Sequence, residues 1–246
     1  MSKALDIYLA EVTERTEALA RQPTAPSMKS KDVYRLKIIV PKLRKAVKQK
    51  YSFVSESTEK KLKIWDYIWH HSAYYDVMSQ ALYFYQHRDL TRVEVDTIIQ
   101  WIERCDCWEH SDDLSKIYAT VVEANPDWIM PTLKEWNQSE NAWKRRQSMV
   151  SLLEYSRKRK RVLPYQELIA FVEPRLDDEE YYVQKGVGWT LREIYNVYPD
   201  ETKQFIEKHV LRIPPQGWTA ATEKFDKAYK AKLMALRKAR PKSRRA

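Results

Sequence analysis

Glycine is almost missing from this chain. Three occur in 246 residues, at positions 186, 188 and 217. Tight hairpins and parallel sheets use glycine for positive φ, so the shortage argues for helices joined by Pro and Asn/Asp turns. It also removes kinase, P-loop and dinucleotide-binding readings, which need a glycine-rich loop. Cysteine is scarce too, with only Cys105 and Cys107. A C-x-C pair closes no easy disulfide. Cys105, Cys107 and His110 lack the fourth ligand and second cluster of a zinc site, so no metal and no cofactor are expected. There is no apolar run of about 18 residues, and no signal peptide is evident. A soluble chain in a reducing, cytoplasmic compartment, with no membrane partner, is the expectation.

What is present is charge, aromatics and helical periodicity. Nine Trp and sixteen Tyr outnumber five Phe, so most rings carry a polar handle suited to seams and grooves with one wet edge. In residues 142–155, Trp143, Met149, Val150 and Leu153 fall on one helical face. Breaks come at Pro41, residues 52–57, residues 89–91, Asn125 with Pro126, Pro164, Pro174, Pro199, and Pro214 with Pro215. Between them lie segments of ordinary helix length, and no window alternates as a strand would. The expected fold class is all-α.

Trp108, Trp143 and Trp189 sit beside charged residues at separations that bracket the ~40–47-residue period of HEAT-type helix pairs. Such pairs stack as a curved solenoid lined on its concave side by one helix of each pair. One repeat domain over residues 1–223 and a basic tail over 224–246 are expected, in a monomer. The tail holds ten Lys/Arg and one acid, while the formal charge of the whole chain is +10. It reads either as an electrostatic arm for a polyanion or as a solubilising end.

Four stretches stand out, each with a plain alternative. In CDCWEHSDDLSK (105–116), Trp108 and Asp112 are a candidate site. Alternatively, Ser111 or Asp112 is an N-cap and the tryptophan a core ring. In NAWKRRQSMV (141–150), Arg145 and Arg146 point about 100° apart, so one can face a groove while the other faces solvent or an acid. In VQKGVGWTLREIY (183–195), two glycines inside a helix imply a close approach, by a neighbouring helix or a phosphate backbone. IVPKLRKAVKQKY (39–51) is a proline-opened basic helix containing Arg44.

Taken together, these stretches resemble the HEAT-like-repeat DNA alkylation-repair glycosylases, the AlkD-like family. Val40-Pro41-Lys42-Leu43-Arg44 matches its V-P-x-L-R. Trp108 and Asp112 match W-x-x-x-D, and Trp143 and Arg146 match W-x-x-R. Lys185, Gly188, Trp189, Leu191, Arg192 and Glu193 match K-x-x-G-W-x-L-R-E. The four fall in the family's order over about residues 30–200. The chain departs from the family at Cys107-Trp108-Glu109, where Asn-Trp-Asp is usual, and again beyond about residue 210.

The resemblance implies an enzyme acting on double-stranded DNA, and so a nucleoid-associated location. Its reaction is hydrolysis of the N-glycosidic bond of cationic N3- or N7-alkylated purines. Asp112 would be the catalytic carboxylate, with Trp108 and Trp189 flanking the lesion nucleotide and Arg146 clamping a phosphate. Trp108, Asp112, Arg146 and Trp189 would converge on one concave surface. A further aromatic on the preceding helix would be Trp69, with Trp65 the alternative. Arg44, Arg145, Lys185 and Arg192 complete the expected DNA contacts. The rival readings are a non-catalytic HEAT-type DNA-binding module and a protein–protein scaffold.

Overall fold

The computed structural model describes residues 2–20 and 33–239. Among the described residues there is no strand, and extended pairing is confined to an isolated parallel bridge between Tyr34 and Tyr74. The chain is all-α, as the periodicity predicts. It gathers into two compact units, Met1–Ile117 and Tyr118–Ala246, where the sequence shows no linker.

The first unit holds α1 (Ser2–Glu17), α2 (Val40–Val47), α3 (Thr58–His71), α4 (Tyr75–Tyr85), α5 (Arg92–Ile99) and the start of α6 (Trp108–Ala124). Local signals set several of the starts. Pro41 occupies the first turn of α2, where its missing N–H costs nothing. The Ser57 hydroxyl accepts the Lys60 amide at the head of α3, and Thr91 with Glu94 forms a reciprocal capping box on α5. The centre is aromatic. Trp65, Trp69 and Trp101 are all sealed from solvent. Trp69 stacks on Trp101 at 5.3 Å and donates its indole N–H to the Trp101 carbonyl at 3.1 Å.

An extended stretch leads into α2. Lys37 adopts a left-handed φ of 54°, and the flanking amides of Leu36 and Ile38 both donate to the buried Asp76 carboxylate, at 2.7 and 3.2 Å. Burial raises the Asp76 pKa, and those two amides oppose the rise.

The second unit continues α6 and adds α7 (Met130–Asn137), α8 (Ala142–Val150), α9 (Tyr165–Val172), α10 (Tyr181–Tyr195), α11 (Pro199–Lys208), α12 (Pro215–Ala221) and α13 (Lys227–Lys238). Prolines 164, 199 and 215 mark three of the starts. Helix α10 is the hub, packing on α8, α9, α11 and α12. Its glycines serve that packing. A Cβ on Gly188 would lie 2.0 Å from the Gly217 carbonyl oxygen, so α10 and α12 meet backbone to backbone. Gly186 instead makes room for the Arg146 and Met149 side chains. Of the two bodies the sequence allows against these glycines, the neighbouring helix is the one found.

The segment read as a tail from residue 224 begins as a packed helix. Asp226 caps α13 by accepting the Tyr229 amide at 2.8 Å, and Leu233 is fully buried. Arg237 lies over the Trp218 ring at 4.3 Å and donates to the carbonyls of Val210 and Ile213. Arg240, Lys242, Arg244 and Arg245 lie outside the described residues. Among the described residues no helix is long and apolar enough to cross a membrane.

Candidate functional site

In the first unit the site is built on the first two turns of α6. The helix begins at Trp108, and the Ser111 amide already donates to the Cys107 carbonyl at 3.2 Å. Asp112 is therefore inside the helix, not at its N-cap. The capping alternative for Ser111 and Asp112 is corrected by a start four to five residues earlier than they require. Trp108 and Asp112 share a face at i, i+4 spacing. The indole is 41% exposed and Asp112 is half-buried.

The neighbours of this pair are committed elsewhere. His110 is sealed between Tyr75, stacked at 4.2 Å, and Trp69, and its Nε2 meets the Ser79 hydroxyl at 3.1 Å. Burial pushes its pKa down to about 3, so it is a neutral core ring at ordinary pH. Asp113 is buried, accepting the Lys116 ammonium at 2.7 Å and the Gln86 amide at 3.2 Å. Glu109 pairs with Arg35 at 2.9 Å, and that guanidinium lies 4.1 Å over the Tyr75 ring. Glu109, one of the departures from the family pattern, thus ties α6 to the extended stretch before α2. Cys105 and Cys107 are buried thiols, and burial raises Cys107 to about 12. A thiol so protonated is a poor metal ligand or nucleophile. Among the described residues, no group of three or more His, Cys, Asp or Glu is placed to hold a metal.

Trp69 requires a correction as a binding aromatic. With no exposed surface and its N–H satisfied by Trp101, it can stack on nothing outside the core, and Trp65 is equally sealed. Their helical spacing fits a core stripe as well as a groove, and only packing distinguishes the two. Arg44 is exposed on α2, with its guanidinium 5.3 Å from the Tyr83 ring.

In the second unit the two arginines of α8 both turn inward. Arg145 forms a two-pronged ion pair with Asp178, at 2.7 and 3.1 Å, and also donates to the carbonyls of Ser139 and Glu140. The pair is largely buried, and removing one partner of such a pair costs about 3–5 kcal/mol. Arg145 is thus an internal clasp, not a DNA contact. Arg146 is only 5% exposed, donates to the Tyr182 carbonyl at 2.9 Å and packs against Gly186. Trp143 stacks on Tyr182 at 5.0 Å. Trp189 is half-buried, with the Arg192 guanidinium 5.5 Å over its ring. Arg192 is itself held by Glu193 and Glu223. Lys185 is exposed. The sequence reading passed over the cationic loop after α8, residues 155–161, although five Lys/Arg in seven residues was a visible signal.

An all-helical repeat fold that offers an exposed Trp beside a half-buried Asp, an exposed lysine and a cationic loop has the character of a protein that handles a polyanion. The chain belongs to the DNA alkylation repair enzyme family, whose model matches residues 12–225. DNA is the polyanion that this membership implies. No curated protein matches the sequence. Its fold is shared with solved structures. A predicted DNA alkylation repair enzyme from Enterococcus faecalis matches at TM-score 0.66 and 18% identity, over 80% of this chain and 90% of the other. AlkD2 from Streptococcus mutans matches at TM-score 0.61 and 19% identity, over 90% and 99%.

With DNA as partner, the C-terminal residues give a two-part expectation. A chain ending at Ala239 loses Arg240, Lys242, Arg244 and Arg245. Its slope of log K against log salt on duplex should become shallower by up to about 3.6, at about 0.9 per phosphate contact, with unchanged Tm. A chain ending at Met234 also loses the Arg237 anchor, so its Tm should fall. Salt titration of duplex binding and thermal melts check both parts. An unchanged slope at Ala239 would mean those four residues touch no phosphate.

Proposed function

We propose that this chain is a DNA glycosylase that hydrolyses the N-glycosidic bond of cationic N3- or N7-alkylated purines in duplex DNA. The observation that carries the reading is the second turn of α6. Asp112 stands there one turn beyond the exposed Trp108, and it is neither a helix cap nor buried in the core as Asp113 is.

An alkylated purine already carries positive charge, so it departs without a strong general acid. As the C1′–N9 bond breaks, its electron pair neutralises the purine and positive charge grows on the deoxyribose. The Asp112 carboxylate opposes that charge and accepts a proton from the water whose oxygen attacks C1′. The products are the free alkylated base and an abasic deoxyribose. Trp108, on the same helix face as Asp112, offers its π face to the cationic nucleotide and its sugar. Arg146, largely buried, acts by positioning α10 through the Tyr182 carbonyl. Exposed Lys185 and Arg44 are better placed than Arg145 for phosphates.

The direct experiment is base release from a duplex carrying one N7-methylguanine. Free N7-methylguanine and an abasic site should appear well above the spontaneous depurination rate, and an undamaged duplex should stay intact. Tight binding without release would instead favour the non-catalytic DNA-binding module. Absence of duplex binding would leave the protein–protein scaffold.

A further inference from the structure

The loop after α8 reads Tyr155-Ser156-Arg157-Lys158-Arg159-Lys160-Arg161. Tyr155 sits in the left-handed region, at φ 50° and ψ 59°, which an L side chain adopts only when its surroundings impose it. The residue is nevertheless 49% exposed, so it is not held there by burial in the core. The loop is pinned from below. The Ser156 amide and hydroxyl both donate to the buried Glu193 carboxylate of α10, at 2.9 and 2.7 Å. Arg159 is turned inward onto Glu123, Glu154 and the Glu154 carbonyl. Lys160 and Arg161 are exposed further along the loop, and at its start Tyr155, Arg157 and Lys158 face outward, with the Lys158 ammonium 4.9 Å from the tyrosine ring.

These three residues rim a cavity of about 300 Å³ beside the C-terminal end of α10. Its acids are already neutralised, Glu193 by the loop and Arg192, and Glu223 by Arg192 and Lys224. The uncompensated charge on the rim is therefore positive. The Asn196 Oδ1 atom in the same cavity is buried and has no hydrogen-bond partner, so the cavity wall has polar capacity left. Arg192 lines the cavity and also lies over Trp189, which makes the cavity continuous with that tryptophan along α10. At about 1.5 Å per helical residue, Trp189 and Asn196 are about 10 Å apart along α10, roughly three base-pair steps of duplex.

We propose that Tyr155, Arg157 and Lys158 form a separate DNA-backbone subsite, in which the two cations hold a phosphate and the Tyr155 ring packs on the adjoining deoxyribose. It rests on the reading of duplex DNA as the substrate. Backbone distortion held by a buried carboxylate preorganises the ring, so little side-chain freedom is lost when DNA arrives. A loop that merely kept the protein soluble would need the cations but neither the left-handed tyrosine nor the Glu193 clasp.

The test uses the full chain and undamaged duplex, by fluorescence anisotropy over a salt series. Arg157→Ala combined with Lys158→Ala should make the slope of log K against log salt shallower by about 1.8, at about 0.9 per contact. Tyr155→Gly is the control for folding, because glycine takes the left-handed conformation freely and the Tm should hold or rise. Its duplex affinity should nonetheless fall about fivefold through loss of the ring. Wild-type slope and affinity in the double variant would overturn the subsite, and wild-type affinity in Tyr155→Gly would remove the ring from it. If the unmodified protein does not bind duplex, the substrate reading itself has failed. That result is distinct from a duplex that binds wild type and variants alike.

Discussion

Asp112→Asn is expected to bind N7-methylguanine duplex within about twofold of wild type while its single-turnover base release falls by about 10²–10³, the usual loss for one preorganised electrostatic group. Asparagine keeps the size and most of the hydrogen bonding of aspartate but has no charge to set against a developing oxocarbenium ion. The fold should tolerate the change, because Asp112 is half-exposed within an established helix and does not cap it. Asp113→Asn is the matched control. That carboxylate is buried against Lys116 and Gln86, so its loss should lower Tm while leaving release at saturating enzyme near the wild-type rate. If the two variants behave the other way round, Asp113 rather than Asp112 is the residue near the sugar. Near-wild-type release by Asp112→Asn alone would remove it from the chemistry.

The largest effect on stability is expected from Gly188→Ala. Alanine in a helix ordinarily gains about 1 kcal/mol over glycine. Here the added methyl would stand 2.0 Å from the Gly217 carbonyl oxygen, and the atom in the way is backbone, which has no rotamer to change. Helices α10 and α12 must separate or α10 must unwind. Forced overpacking of this kind costs about 3 kcal/mol or more. At roughly 2–4 °C per kcal/mol for a chain of this size, the Tm should drop by about 6–12 °C. Gly186→Ala is the contrast, since its methyl would meet the flexible Arg146 Cγ at 3.3 Å, which can shift by a few tenths of an ångström. There the helical gain and the crowding roughly cancel. Equal melting temperatures for the two variants would show that the α10–α12 approach is not as close as the geometry has it.

The all-α class was legible because its causes are local. Periodicity, proline at helix starts and a shortage of glycine act within a few residues, and the breaks at Pro41, Pro164, Pro199 and Pro215 stand at or beside helix starts. The order of the four motifs was legible for the same reason, since a motif is a statement about neighbours in sequence. What sequence left open turned on contacts between residues far apart in the chain. Trp69 and Trp108 were both candidates for a binding aromatic, yet one is sealed by Trp101, 32 residues on, and the other stands 41% exposed. Arg145 and Arg146 both looked available, but Asp178 and the Tyr182 carbonyl claim them across more than 30 residues. Gly188 has its reason in Gly217. The basic C-terminal stretch looked free until Arg237 was seen over Trp218. Hydrophobic spacing tells which residues can be buried and charge tells which can be solvated. The choice among equal candidates depends on which partners the folded chain brings within a few ångströms, because burial and ion pairing are decided by neighbours in space.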